Sequence, residues 1–187
     1  MKIFQLEDIE TDARYCFVDP ALPCGPDISQ GLPATPELER LGLAVLDLPL
    51  DETHGGLELP DYVSNTVNML VLRRRCAEAI ATQFAIGDHE RLAARLINEK
   101  QRVHAEDYEI CNPLGSFDCV DQKRSDMQPG PWVNPYGKWY LSRALLPADR
   151  DLFRVDHVGG YFFTERLVAF VRARGFTNFA FKPVLLC

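Results

Sequence analysis

Two stretches of this chain change period in mid-course. Asn68–Leu72 reads as a strand ending in the apolar run Leu70–Leu72, and it leads directly into a predicted helix, Arg73–Phe84, in which Cys76, Ala77, Ile80 and Phe84 recur at helical spacing. Tyr161–Phe163 repeats the arrangement. It feeds a predicted helix over 164–174, with Thr164 as N-cap, Leu167, Val168 and Val171 as the apolar stripe, and Gly175 as the C-terminal stop. The two segments align without gaps, Leu70 on Tyr161 and Ile80 on Val171. They are either copies of one supersecondary unit or two units that look alike. A strand running straight into an amphipathic helix needs a sheet for the helix to pack on, which restricts the chain to layered folds that mix both elements.

The remaining segments fill in that frame. Residues 2–7 and 14–18 read as strands, with the acidic segment 8–13 as a turn between them. From Asp19 to Pro36, five prolines and two glycines read as a long loop without regular structure. Leu43–Leu48 reads as a short buried strand and 51–61 as a loop. Asp88 reads as the cap of a further helix carrying Leu92, Leu96 and Ile97 on one face. Asp107–Cys111 and Ser116–Val120, joined by Asn112-Pro-Leu-Gly115, read as a hairpin around a type I turn. Residues 126–137 read as loop, 138–142 and 152–155 as strands, and 176–184 as a closing strand. The expected fold is α+β, a single domain over 1–187. Its mixed, largely antiparallel sheet carries about three helices; 1–60 hold N-terminal strands and the Pro-rich loop, 61–187 the core. The irregular alternation argues against a doubly wound parallel sheet.

At 187 residues with 47% hydrophobic content, the chain can bury one sizeable core. Its formal net charge of -7 disfavours nucleic acid and anionic membranes and suits a basic protein partner. The N-terminus has no apolar stretch of signal length, and no run reaches a membrane span. The six cysteines, at 16, 24, 76, 111, 119 and 187, form no C-x-x-C pair and have no nearby histidine, so no zinc signature exists. A cytoplasmic protein with reduced thiols and no cofactor or metal is expected.

Phosphate-loop, dinucleotide, zincin and nucleophile-elbow motifs are absent. The four histidines, at 54, 89, 104 and 157, are far apart in sequence. Cys111 and Cys119 are the only cysteines considered as nucleophiles, against their reading as small buried hydrophobes. The expected hairpin puts Tyr108, Ile110, Phe117 and Cys119 on a core face. It sets Glu109 opposite Asp118 on the other face, a like-charge pair costing roughly 0.2–1 kcal/mol. It also keeps Cys111 and Cys119 on opposite faces, unable to bridge. Glu106, Asp107, Asp121 and Asp126 are near in sequence, with Lys123 and Arg124 as partial compensation. The cluster Glu106, Asp107, Glu109, Asp118, Asp121 and Asp126 reads as a solvated face, a divalent-metal site, or an anionic patch that receives a cationic partner.

Residues 108–126, YEICNPLGSFDCVDQKRSD, resemble a family of bacterial proteins identified as immunity proteins of polymorphic-toxin systems, with members described from myxobacteria. The resemblance runs through Tyr108, Asn112, Asp118, Asp121 and Ser125, through Asp151-Leu-Phe-Arg154, and through Phe163-Thr-Glu-Arg-Leu167, Gly175 and Phe181-Lys-Pro183. It covers roughly 60–187; Thr164 stands where the family more often has Ser. It implies a protein that is not an enzyme and that neutralises a cognate toxin, the product of a neighbouring gene, by stoichiometric binding. It assigns no catalytic residues. The alternatives are a small enzyme with a carboxylate site near Glu109, Asp118 and Asp121, or a homo-oligomeric scaffold. The sequence leaves monomer and homodimer open.

Overall fold

Both faces of the Leu70–Leu72 run are buried, which is why it shows no polar alternation. Val71 points into one core, while Leu70 and Leu72 point into another. The computed structural model describes residues 2–7, 14–51 and 56–187. In chain order its elements are β1 (Ile3–Leu6), β2 (Phe17–Val18), α1 (Gly25–Gln30), α2 (Thr35–Leu41), β3 (Leu46–Pro49), β4 (Tyr62–Asn65), β5 (Leu70–Arg73), α3 (Arg74–Gln83), β6 (His89–Ile97), β7 (Val103–Pro113), β8 (Tyr140–Leu141), β9 (Leu152–Val155), β10 (Val158–Thr164), α4 (Glu165–Ala173), β11 (Phe181–Pro183) and β12 (Leu185–Leu186). The fold is α+β, as expected, with mixed and antiparallel sheets. The expected turn over 8–13, and His54 in the loop 51–61, lie outside the described residues. Among the described residues no helix is long and apolar enough to cross a membrane.

The larger sheet has the order β2-β4-β5-β7-β6-β3. Its edge strands meet through an antiparallel bridge between Val18 and Leu50, where the Asp51 amide donates to the Phe17 carbonyl at 2.9 Å. The sheet therefore closes on itself. Its interior gathers apolar residues from all six strands, among them Val18, Leu48, Val63, Val71, Leu96 and Ile110, with Ile28 of α1 and Leu38 of α2 packed against them. A second sheet, β11-β1-β10-β9, packs against the outer face of β4, β5 and β7 together with α3 and α4. A third apolar cluster lies beyond β10, around Phe153, Phe162, Cys119 and Leu141.

Three expectations need correction in kind, and two strands in extent. Residues 89–97 form strand β6 rather than a helix. Leu92, Ala94 and Leu96 are buried on one face, with Arg91 and Ala93 exposed on the other. Helix-favouring Ala, Leu, Arg and Glu bias the segment by under about 1 kcal/mol per residue. Antiparallel pairing with β7, parallel pairing with β3 and burial of the leucines, roughly 1.5–3 kcal/mol each, outweigh that bias. Residues 19–36 are also not a bare loop, since they hold α1 and the start of α2. Each helix has proline in its first turn, where no amide partner is lost, and each ends at a left-handed glycine, Gly31 (φ 72) and Gly42 (φ 69).

The expected hairpin is the third. β7 runs through Asn112 and Pro113, paired with Glu90 and His89, and the chain then leaves the sheet at Gly115. Phe117 bridges Val155 and Val120 bridges Leu141 instead. Glu109 faces Ala93 and Leu72, not Asp118. Tyr108 and Ile110 lie in the first core and Cys119 in the third, so the four residues assigned to one face are divided. Cys111 and Cys119 are separated for the same reason, and both are free. The strand expected over 176–184 is reduced to β11, and that over 43–48 is shifted to β3.

The two aligned segments do occupy equivalent places. β4–β5–α3 and β9–β10–α4 are each a hairpin continued by a helix, and Cys76, Ala77, Ile80, Leu167, Val168 and Val171 all face the core between them. A buried aspartate opens each unit. Asp61 accepts from Arg75 (2.8 and 3.1 Å), and its carbonyl accepts from the Arg73 amide. Asp151 accepts from Arg166 and from the Thr164 hydroxyl at 2.7 Å, and its carbonyl accepts from the Thr164 amide. In both, the arginine is the second residue of the helix, so the aspartate ties the start of the hairpin to the start of the helix.

Candidate functional site

Prolines 129, 131 and 135 stiffen the segment between Asp121 and Tyr140, and a network of short hydrogen bonds shapes it. Asp126 anchors it. Its amide donates to the Lys138 carbonyl, its carboxylate accepts from the Lys138 amide (both 2.8 Å), and its carbonyl accepts from the Asn134 amide at 2.7 Å. A Cβ at position 137 would stand 2.6 Å from that of Asp126, so only glycine lets the return strand approach this closely. Gln128 spans the tip, its amide donating to the Trp132 carbonyl and its Nε2 to the Val133 carbonyl. The Val133 amide donates to the His157 carbonyl, which fastens the segment to the β9–β10 turn. Asp121 holds the base through the Tyr140 carbonyl, the amides of Lys123 and Arg124, and the Cys187 thiol.

This braced segment displays large aromatics to solvent. Trp132 is 55% exposed and Tyr136 98%. Trp132 borders two adjoining depressions. The larger, of about 630 Å³, is bordered by Gln5, Asn68, Gln128, Trp139 and the Gly159–Gly160 backbone, with Glu7 and Lys182 as its charged groups. Trp139 lies at its wall, edge-on to Phe162. The smaller, of about 270 Å³, continues past His157 to Ser29, Ser116 and Asp156.

Arg154 closes the floor of the smaller depression. It is only 4% exposed and has no carboxylate partner among the described residues. Its Nη1 donates to the Ser29 carbonyl at 2.9 Å, and its Nη2 donates to the Ile28 carbonyl and the Tyr161 hydroxyl, both at 2.6 Å. Its guanidinium lies 4.2 Å from the centroid of the Tyr161 ring. The charge is met by the carbonyls at the C-terminal end of α1, which carry partial negative charge.

The sequence-predicted acidic residues are dispersed. Glu109 is buried under Arg91, which donates to both carboxylate oxygens at 2.5 and 2.8 Å. Asp107 pairs with Arg73 at 2.6 Å. Glu106 and Asp118 are exposed on different elements. Asp121 and Asp126 do reach the Trp132 segment, as the groups that brace it. No hydrogen bond or ion pair joins Glu109, Asp118 and Asp121. Among the described residues no three His, Cys, Asp or Glu side chains are gathered as metal ligands. Another depression, of about 670 Å³ beside α4, has its charges already paired, Asp149 with Arg150, Asp151 with Arg166 and Glu165 with Lys2.

The residues that carried the resemblance are mostly fold-bracing. The Tyr108 hydroxyl donates to the Pro60 carbonyl at 2.6 Å, and Asn112 donates to the Leu32 carbonyl and to Glu90. The Ser125 hydroxyl accepts from the Tyr140 amide. Trp132, Trp139, His157 and the Gly159–Gly160 pair were not singled out by sequence reasoning. The available signal was that both tryptophans of the chain fall in one Pro- and Gly-rich segment, where a core residue is out of place.

Cys111 and Cys119 are unsuited to nucleophilic chemistry. Burial pushes both thiols up to about 12, and only the thiolate reacts. Cys16 is raised to about 11 by burial. Cys187 is the one thiol of the six that is not buried. Titration of the native protein with a thiol reagent is expected to modify Cys187 rapidly and the other five only on unfolding. Rapid modification of Cys111 or Cys119 in the native state would contradict their placement. No protein-family model matches the chain, and no curated protein matches it.

Proposed function

We propose that this chain is an immunity protein that neutralises a cognate bacterial toxin by stoichiometric binding. The observation that carries the reading is the braced presentation of Trp132 and Tyr136 to solvent. Large aromatics dominate the energetics of protein interfaces, and a rigid segment presents them with little ordering entropy to lose. The motif resemblance supplies the class of partner. An interface of ordinary size, ~1,600 Å² in total, would extend well beyond the Trp132 segment.

Co-expression with the product of the adjacent gene tests this. The expected result is that the product alone arrests growth, that this chain restores growth, and that the two co-purify in a fixed ratio. The reading fails if the product is harmless, or if it stays toxic and unbound in the presence of this chain.

A further inference from the structure

We propose that the groove around Trp132 receives an extended, uncharged polypeptide segment of the partner. The proposal rests on the binding role above and names the part of the surface that performs it.

Shape is the first argument. The two depressions share Trp132, His157 and Gly159–Gly160 in their lining, so they adjoin at the exposed indole and offer a track that runs past it on both sides. An extended chain advances roughly 3.3 Å per residue and sends alternate side chains to opposite sides. It can therefore lie along such a track with one side chain against Trp132 and a neighbour in each depression.

Chemistry is the second. Gln5 Nε2 is held by the Gly159 carbonyl at 2.9 Å and Gln128 Nε2 by the Val133 carbonyl at 3.2 Å. Both amide groups are thereby fixed in orientation, which sets where their Oε1 acceptors stand for the N–H groups of an incoming chain. Gly159 is exposed and has no side chain of its own, so a main chain can approach it closely, while Gly160 is buried beneath Gln5 and Asn68.

Charge is the third. The lining carries one acid and one base in each depression, Glu7 and Lys182 in the larger, Asp156 and the buried Arg154 in the smaller, so its formal charges cancel without either pair forming an ion pair. Such a track gives no advantage to a basic or an acidic segment. This differs from the anionic patch expected from the sequence, whose members are dispersed or paired within the fold.

The test needs no knowledge of the toxin. A random peptide library displayed on phage is panned against the wild-type chain and against Trp132→Ala, with thermal unfolding to verify that the variant is folded. The expected result is a consensus of uncharged residues with at least one large apolar position. Synthetic consensus peptide should bind about 30-fold or more weakly to Trp132→Ala. Its affinity should be nearly unchanged between about 0.05 and 0.5 M salt. A basic consensus with steep salt dependence, peptides bound equally by Trp132→Ala, or no enrichment would overturn the proposal. So would a glycan-array hit abolished by the same substitution, because tryptophans and amides also suit a sugar. The two levels separate in the co-expression assay. If the wild-type chain neutralises and a folded Trp132→Ala does so equally well, the groove proposal is lost while the immunity role stands.

Discussion

Replacing Asp151 by alanine is expected to destabilise the protein by about 3 kcal/mol, measured by urea unfolding near neutral pH. Its carboxylate is almost fully buried and accepts from the Ala85 amide (3.1 Å), the Thr164 hydroxyl and Arg166. Removing it strands a buried hydroxyl and an amide. The Arg166 charge matters less to this figure, because that side chain is mostly exposed and screened by water. Burial by itself would raise the Asp151 pKa. The hydrogen bonds from Arg166, Thr164 and Ala85 together outweigh burial, and the net value lies below the usual carboxylate range. The sign of the pH dependence follows. A depressed native pKa contributes stability that is fully present above the unfolded value of about 3.9 and is lost as pH falls through the native value. The gap between wild type and Asp151→Asn should therefore shrink between about pH 7 and about pH 3. A gap that widened in acid would show that the carboxylate is not held as its ion.

The second large effect is expected at Arg154. Arg154→Met keeps much of the side-chain volume but removes three hydrogen bonds, two of them to the last carbonyls of α1 and one to Tyr161. Bonds from a charged donor contribute about 1.5–3 kcal/mol each in favourable cases and are not additive, so a loss of about 3 kcal/mol is expected. Hydrogen exchange distinguishes this from a general weakening. Amides in 25–31 should lose protection first, while those in α4 should keep it relative to global stability. Uniform loss across both helices would mean that Arg154 does not pin α1 specifically.

These two residues show what kind of information a motif carries. Asp151-Leu-Phe-Arg154 is a four-residue string in which both polar members are buried, Asp151 directly before β9 and tied to α4, Arg154 within it and tied to α1. Thr164 is similar. Its capping role was legible, because the Leu167 amide that its hydroxyl accepts from is three residues away. The same hydroxyl donates to Asp151, and nothing in the sequence announced that. In the candidate site, the sequence marked Asp121 and Asp126 for their charge. The structure uses them to brace a segment, and leaves the exposed contact to Trp132 and Tyr136 beside them.

Short-range physics was readable directly: the strand-to-helix transitions at 70–84 and 161–175, the Thr164 cap, the Gly175 stop and the α+β class. Each depends on dihedral preferences and side-chain spacing within a turn or two, which a single segment encodes by itself. Sheet order, closure and the assembly of the Trp132 groove were decided only in three dimensions. The Glu90 carboxylate accepts from the Ala34 amide at the start of α2 across 56 residues, and Arg154 reaches the Ile28 carbonyl across 126. Whether 89–97 becomes helix or strand turns on β3 and β7 lying on either side of it. Local propensity differs by tenths of a kcal/mol per residue, whereas paired edges and buried leucines contribute whole ones, so partners distant in the chain settle such segments.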